Sequence, residues 1–173
     1  EFYDLFQVSC HGIPWITIWL ASIWIIWNKS YFEVQVNFFI GLIIDIIAVS
    51  MVKAIARRKR PPSNRSDMLF AVGPDKFSFP SGHASRACYI AFFFVWLHPV
   101  RPLLMYILWL WAAAVSCSRV LMRRHYILDV LGGVALALVE TWVVYCIWFS
   151  QYTSEWLVTW ITEESAENDE YNV

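Results

Sequence analysis

Residues 34–60 read VQVNFFIGLIIDIIAVSMVKAIARRKR, with one internal charge, Asp45, before Lys53 and the closing run Arg57-Arg58-Lys59-Arg60. A helix needs about 20 residues to cross the hydrocarbon core of a bilayer. Residues 34–56 therefore predict a membrane-spanning helix with a basic collar at its C-terminal end. The rest of the chain agrees. Of 173 residues, 59% are hydrophobic, 11 are Trp and 12 are Phe, a mixture too apolar for the surface of a water-soluble domain of this size. Four further apolar stretches lie at 13–27, 82–98, 102–119 and 126–149. All are expected to be helical, because backbone polar groups in lipid must be satisfied within their own segment. The predicted fold class is all-α, a polytopic transmembrane helix bundle with five spans visible. Residues 1–12 form an N-terminal flank, 13–149 the transmembrane domain and 150–173 a C-terminal tail.

The stretches 82–98 and 102–119 are joined only by His98-Pro99-Val100-Arg101-Pro102. Proline stops the first helix and is tolerated at the start of the next, so the two form a tight antiparallel pair. The longest connection, 57–81, is polar and holds Pro61-Pro62, Gly73-Pro74 and Pro80. It is too long for a turn between packed helices, and chemistry is expected there. After residue 149, the piece from Trp156 to Ile161 is semi-apolar, and the acidic residues 163–170 read as a disordered, solvated tail. Position 1 is Glu and no basic, apolar, small-residue leader precedes residue 13, which fits a fragment or processed form. Cys10, Cys88, Cys117 and Cys146 lack Cys-x-x-Cys spacing and read as packing residues, not as redox or zinc sites.

Three clusters sit at helix ends: Lys53 to Arg60-Pro61, then Pro80-Ser81-Gly82-His83, then Ser118-Arg119 followed by His125 and Asp129. In an up-down bundle these ends share one side of the membrane, which makes them one composite site. The residue types suit phosphoryl transfer, whose transition state spreads negative charge over equatorial oxygens and is stabilised by positioned positive charge and hydrogen-bond donors. Lys53, Arg60 and Arg119 supply the charge. Gly82 lets backbone approach a phosphate at a helix N-terminus, and the Ser81 hydroxyl adds a donor. Of two histidines, one can attack phosphorus if a carboxylate holds its tautomer, and the other can protonate the leaving oxygen. Asp129, one helical turn beyond His125, suits orienting its Nδ1; His83 is then the acid.

Lys-x6-Arg-Pro, Pro-Ser-Gly-His and Ser-Arg-x5-His-x3-Asp resemble the three signatures of the type 2 phosphatidate phosphatase, or lipid phosphate phosphatase, superfamily, over roughly residues 11–149. The resemblance implies a phosphatidic acid phosphatase type 2/haloperoxidase-like core. It also implies a phosphohistidine mechanism with His125 as nucleophile, His83 as general acid, Asp129 as orienter, and Lys53, Arg60, Ser81, Gly82 and Arg119 on the phosphate. Residues 11–15, 60–68 and 75–87 further resemble the polyisoprenoid (presqualene) diphosphate phosphatase branch. That branch implies presqualene, farnesyl or geranylgeranyl diphosphate as substrates, with phosphatidate-type monoesters hydrolysed less well, in the endoplasmic reticulum and nuclear envelope. The rival readings are a phosphatase for other lipid phosphates, a catalytically silent membrane scaffold of the same fold, and a transporter built on Asp45 and Glu140.

No cofactor and no metal are expected: His83, His125, Asp129, Asp67 and Asp75 are few, and the surplus of Lys and Arg repels a cation. The partners implied are a lipid phosphate or diphosphate and the bilayer, not nucleic acid, with oligomeric state left open. Of the 13 Lys and Arg, span parity puts only Lys29 and Arg101 opposite the site, so the positive-inside rule places the site on the cytoplasmic face. Asn28-Lys-Ser30 then offers a glycosylation acceptor on the other side. Arg57, Arg58 and Lys59 read as a membrane-surface anchor; alternatively Arg57, Arg58, Arg65 and Arg86 serve a second phosphate. Asp45 and Glu140, inside spans, are expected to be neutralised, paired or facing the bundle. The Trp and Phe residues are expected mainly in lipid-facing surface and interfacial belts.

Overall fold

The computed structural model describes residues 12–62 and 77–170, with backbone alone for residue 13 and residues 163–170. Its helices are α1 (Gly12–Ile25), α2 (Lys29–Ala56), α3 (Gly82–Phe92, continued by a π-helical turn Phe93–Leu97), α4 (Pro102–Leu121), α5 (Ile127–Cys146) and α6 (Gln151–Glu170). All five apolar stretches are helical. By length and composition, α2, α4 and α5 can each cross a membrane; α1 and α3 are shorter than a full span.

α2 starts five residues before the predicted boundary. Hydropathy stops at the polar Lys29, Ser30 and Glu33, but the helix continues outward to Asn28, whose side chain accepts the Ser30 N–H at 3.1 Å and so satisfies one of the unpaired donors of the first turn. At the other end Arg57 adopts a left-handed conformation (φ 47°) and returns its N–H to the Lys53 carbonyl at 3.0 Å. The helix therefore stops with Lys53 in its last turn and turns the chain into the loop. Pro102 opens α4 at its first turn, as its fixed φ suits.

α3 runs through the middle of the bundle, packed on α2, α4 and α5. Ala84, Ser85, Ala87, Tyr89, Ile90 and Ala91 are all fully buried; small side chains let helices approach where association in lipid depends on packing. A Cβ at Gly133 of α5 would lie 2.7 Å from the Ser81 carbonyl oxygen and 3.1 Å from the Ser85 nitrogen. That glycine allows α5 to press on the beginning of α3. Deeper in the bundle, Arg86 Nη2 lies 2.6 Å from Asp45 Oδ2, and the Ser85 hydroxyl donates to Glu140 Oε2 at 3.4 Å. The intramembrane carboxylates are thus paired or hydrogen-bonded between helices. The second-phosphate role for Arg86 is set aside on the same ground, since its charge is balanced by Asp45 among buried groups.

Two expectations are corrected. Many aromatics do face outward, but Phe32, Phe38, Tyr89 and Phe93 are fully buried. Phe38 sits in a ring cluster with Trp19 (centroids 4.2 Å apart) and Phe93 (5.0 Å), filling the half of the bundle away from the motifs. The C-terminal segment, read as a disordered tail, forms α6 through Glu170. Its Val158 packs with Ile23, Phe32 and Val36. The Asn37 side chain fixes the chain before α6, donating to the Phe149 carbonyl at 2.8 Å and accepting its N–H at 2.9 Å. Half-apolar composition hid a helix whose stability comes from tertiary packing.

Candidate active site

The ends of α2, α3, α4 and α5 converge through backbone and side-chain bonds. Ser81 precedes α3 in extended conformation, and its N–H donates to the Asp129 carbonyl at 2.9 Å. This bond ties the start of α3, with Gly82 and His83 in its first turn, to the start of α5. Gly82 also lies against α2, where an added Cβ would be 3.1 Å from Val49. Ser81 is fully buried, and its hydroxyl has no hydrogen-bond partner among the described residues. From α4, the Arg119 carbonyl accepts the N–H groups of Arg124 and His125, both at 3.2 Å. Arg119 itself is buried, its guanidinium donating to the Ser118 hydroxyl and the Met122 sulfur.

His125 occupies the short link between α4 and α5. Its Nδ1 is 2.8 Å from the Ser78 carbonyl oxygen and 3.8 Å from Asp129 Oδ2. A carbonyl oxygen only accepts, so Nδ1 carries the hydrogen and Nε2 keeps its lone pair. The direct hydrogen bond that spacing assigned to Asp129 is made instead by backbone 47 residues earlier. Asp129 is occupied elsewhere: Oδ2 accepts the Tyr126 N–H at 2.8 Å, capping α5, and Oδ1 accepts from Arg58 Nη1 at 2.9 Å. Its charge stays close to the imidazole without being its main hydrogen-bond partner.

Burial is the largest influence on His125 and holds its pKa below the ordinary histidine value. The nearby Asp129 carboxylate opposes this, the positive charges of Arg60 and Lys53 reinforce it, and the Ser78 carbonyl opposes it. The ring is therefore neutral near pH 7. Beside it lies a cavity of ≈ 510 Å³ lined by Pro61, Val120, Arg123, Tyr126, Ile127 and Leu128 together with His125.

Sequence reasoning missed two contributors. Ser78, fully buried, donates its N–H to the Arg58 carbonyl at 2.8 Å and its hydroxyl to the Arg58 and Lys59 carbonyls. This holds the loop before Pro80 against the chain leaving α2 and aims the Ser78 carbonyl at His125. A backbone acceptor has no residue signature, so no pattern could have revealed it. Arg58, read as a surface anchor, lies over the Tyr126 ring at 4.5 Å and bonds Asp129; four consecutive basic residues gave no sign of which one turns inward. Arg57 does stay exposed, while Arg65, Asp67 and Asp75 lie outside the described residues.

Comparison with known proteins places this geometry. The PAP2 superfamily matches residues 35–152, the segment that holds every candidate residue. A protein of Arabidopsis thaliana named "Probable lipid phosphate phosphatase beta" is 37% identical over 130 residues, covering 61% of this chain and 61% of that protein. The "Lipid A 4'-phosphatase" of Bacteroides thetaiotaomicron is 25% identical over 158 residues, covering 84% of this chain and 70% of that protein. Among solved structures, a transmembrane PAP2-type phosphatidylglycerolphosphate phosphatase from Bacillus subtilis superposes with a TM-score of 0.63 at 25% identity, over 84% of this chain and 76% of the other. The chain spans about three fifths of the length of the plant relative. With a matched segment that takes in the ends of all four site-bearing helices, the chain belongs to the PAP2 superfamily.

Proposed function

We propose that this chain is a membrane lipid phosphate phosphatase that works through a phosphohistidine at His125, with no metal. The observation that carries the reading is the Ser78 carbonyl 2.8 Å from Nδ1, which leaves Nε2 as a neutral nucleophile in a buried, cation-flanked position. In the first step Nε2 attacks phosphorus, the bond from phosphorus to the leaving oxygen breaks, and His83 donates its proton to that oxygen. The phosphohistidine carries positive charge on the ring, which Asp129 at 3.8 Å stabilises. In the second step water attacks phosphorus, His83 takes the water proton, and inorganic phosphate leaves with Nε2 regenerated. Lys53, Arg60 and Arg119 balance the phosphoryl oxygens. The Ser81 hydroxyl and the first N–H groups of α3 at Gly82 donate to them, as unpaired helix N-termini do.

For substrate, the reading is a polyisoprenoid diphosphate in preference to a phosphatidate-type monoester. It rests on the resemblance of residues 75–87 and neighbouring stretches, which also implies the endoplasmic reticulum and nuclear envelope, while the excess of Lys and Arg on the site's side of the spans supports a site on the cytoplasmic face. The test is phosphate release from farnesyl diphosphate and from phosphatidate in detergent with EDTA. Expected are metal-free release, faster from the diphosphate, and a loss of about 1000-fold or more in His125→Ala. Release abolished by EDTA and restored by magnesium would defeat the metal-free mechanism; release faster from phosphatidate would move the substrate to the monoesters. No release from either lipid by the native chain would favour a silent scaffold.

A further inference from the structure

α4 and α5, although joined by the short link that carries His125, make few contacts with each other along their lengths. Between them runs a second cavity of ≈ 440 Å³, lined by Ser116, Cys117, Val120, Leu121, Ile127, Val130 and Leu131. Val120 and Ile127 also line the cavity beside His125, so the two spaces adjoin at those side chains. The upper one has His125 and Arg123 on its wall, whereas the lower one is almost wholly apolar. Leu121 and Leu131 at its edges are exposed on helices long enough to span the bilayer, so it opens sideways into lipid.

A mouth that carries Arg123 beside His125, over an apolar groove that opens to the membrane, has the polarity profile of a single-chain amphiphile with an anionic head. We propose that this α4/α5 groove holds the first part of one hydrocarbon chain of the lipid whose phosphate reacts at His125, and that Cys117, Leu121 and Leu131 thereby select for chain length. The inference rests on the proposed phosphatase reading. It goes beyond it by naming where the chain lies and which residues measure it. Nothing in the reaction at phosphorus needs these side chains, so filling the groove should weaken capture of long chains and leave the chemistry of short ones intact.

The test compares Cys117→Trp and Leu131→Trp with the native chain on farnesyl and isopentenyl diphosphates, and on hexadecyl and butyl phosphates. Expected is a rise in KM of about tenfold for the long member of each pair, with kcat/KM for the short member within about twofold of native. That short-chain activity also shows that the variants fold. Equal losses on both members, or no loss on either, would overturn the proposal. A second measurement does not need turnover. Cys117 is exposed whereas Cys88 is buried, so with Cys10 and Cys146 replaced by Ser, alkylation by a maleimide reports on Cys117. In a His125→Ala background, farnesyl diphosphate should slow alkylation severalfold, and isopentenyl diphosphate should not. Equal slowing by farnesol, by phospholipid or by isopentenyl diphosphate would overturn it, as would no slowing. A native chain that releases no phosphate defeats the phosphatase reading, while alkylation still decides whether the groove takes the chain of a lipid phosphate.

Discussion

At the level of single residues, the state of His125 is set by burial and by four neighbours with different reach. The Ser78 carbonyl decides which nitrogen holds the hydrogen, burial with Arg60 and Lys53 favours the neutral ring, and Asp129 favours the charged one. Because the folded pKa is depressed, the acid limb of kcat/KM should fall below the ordinary histidine value of about 6.5. Folded protein binds fewer protons at His125 than unfolded protein between those two values. The ring's effect on stability is therefore absent above the ordinary value and becomes destabilising as pH falls through it towards the folded pKa. Arg58 balances Asp129 through a 2.9 Å ion pair. Arg58→Gln should leave Asp129 freer to favour protonated His125, move the acid limb upward in pH and lower kcat/KM by about tenfold. A pH–rate profile checks this; a limb that does not move would reduce Arg58 to the anchor that its sequence context suggests.

At the level of elements, the site depends on how closely α5 approaches the start of α3. Gly133 has no room for a side chain, with the Ser81 carbonyl 2.7 Å from where its Cβ would be, and backbone cannot yield as a side-chain tip can. Gly133→Ala should separate the two helix starts, weaken the bond from Ser81 N–H to the Asp129 carbonyl and cost about 1–3 kcal/mol of stability. Activity should fall by more than the change in folded fraction accounts for, because His83 and the Ser81 hydroxyl move away from His125 together. Thermal unfolding in detergent beside a kcat measurement separates the two effects. The same element-level logic explains why α3 is short: enclosed by α2, α4 and α5, it has little need to match the bilayer with a lipid-facing surface.

At the level of the whole molecule, the buried pair of Asp45 and Arg86 couples α2 to α3 well inside the bundle. Replacing such a pair with apolar residues is often tolerated, whereas removing one member strands the other charge. Asp45→Ala should therefore destabilise by about 3–5 kcal/mol, and Asp45→Ala combined with Arg86→Met should recover most of it. Unfolding of the three chains in detergent is the measurement; an Asp45→Ala chain as stable as native would mean that the pair does not tie the helices. The pair lies on the helices that also carry Lys53 and His83, so the register of the site is secured from below as well as at its rim.

The amino-acid sequence by itself determined the helical membrane architecture, because lipid demands long apolar segments with internally satisfied backbones, and residues 34–56 or 126–149 read that way without any partner. It also determined the candidate set Lys53, Arg60, Ser81, Gly82, His83, Arg119, His125 and Asp129, whose types and spacing suit the proposed phosphoryl-transfer chemistry. Tertiary structure alone decided what holds His125. The Ser78 carbonyl and Arg58 reach it or its neighbour across separations of 47 and 71 residues, and a backbone oxygen is the same in every residue. It alone also decided that Arg86 balances Asp45, that Phe38 and Phe93 form core, and that the C-terminal segment is a helix. Each of these is a matter of which surfaces meet, and local composition sets the supply of such surfaces without setting their pairing.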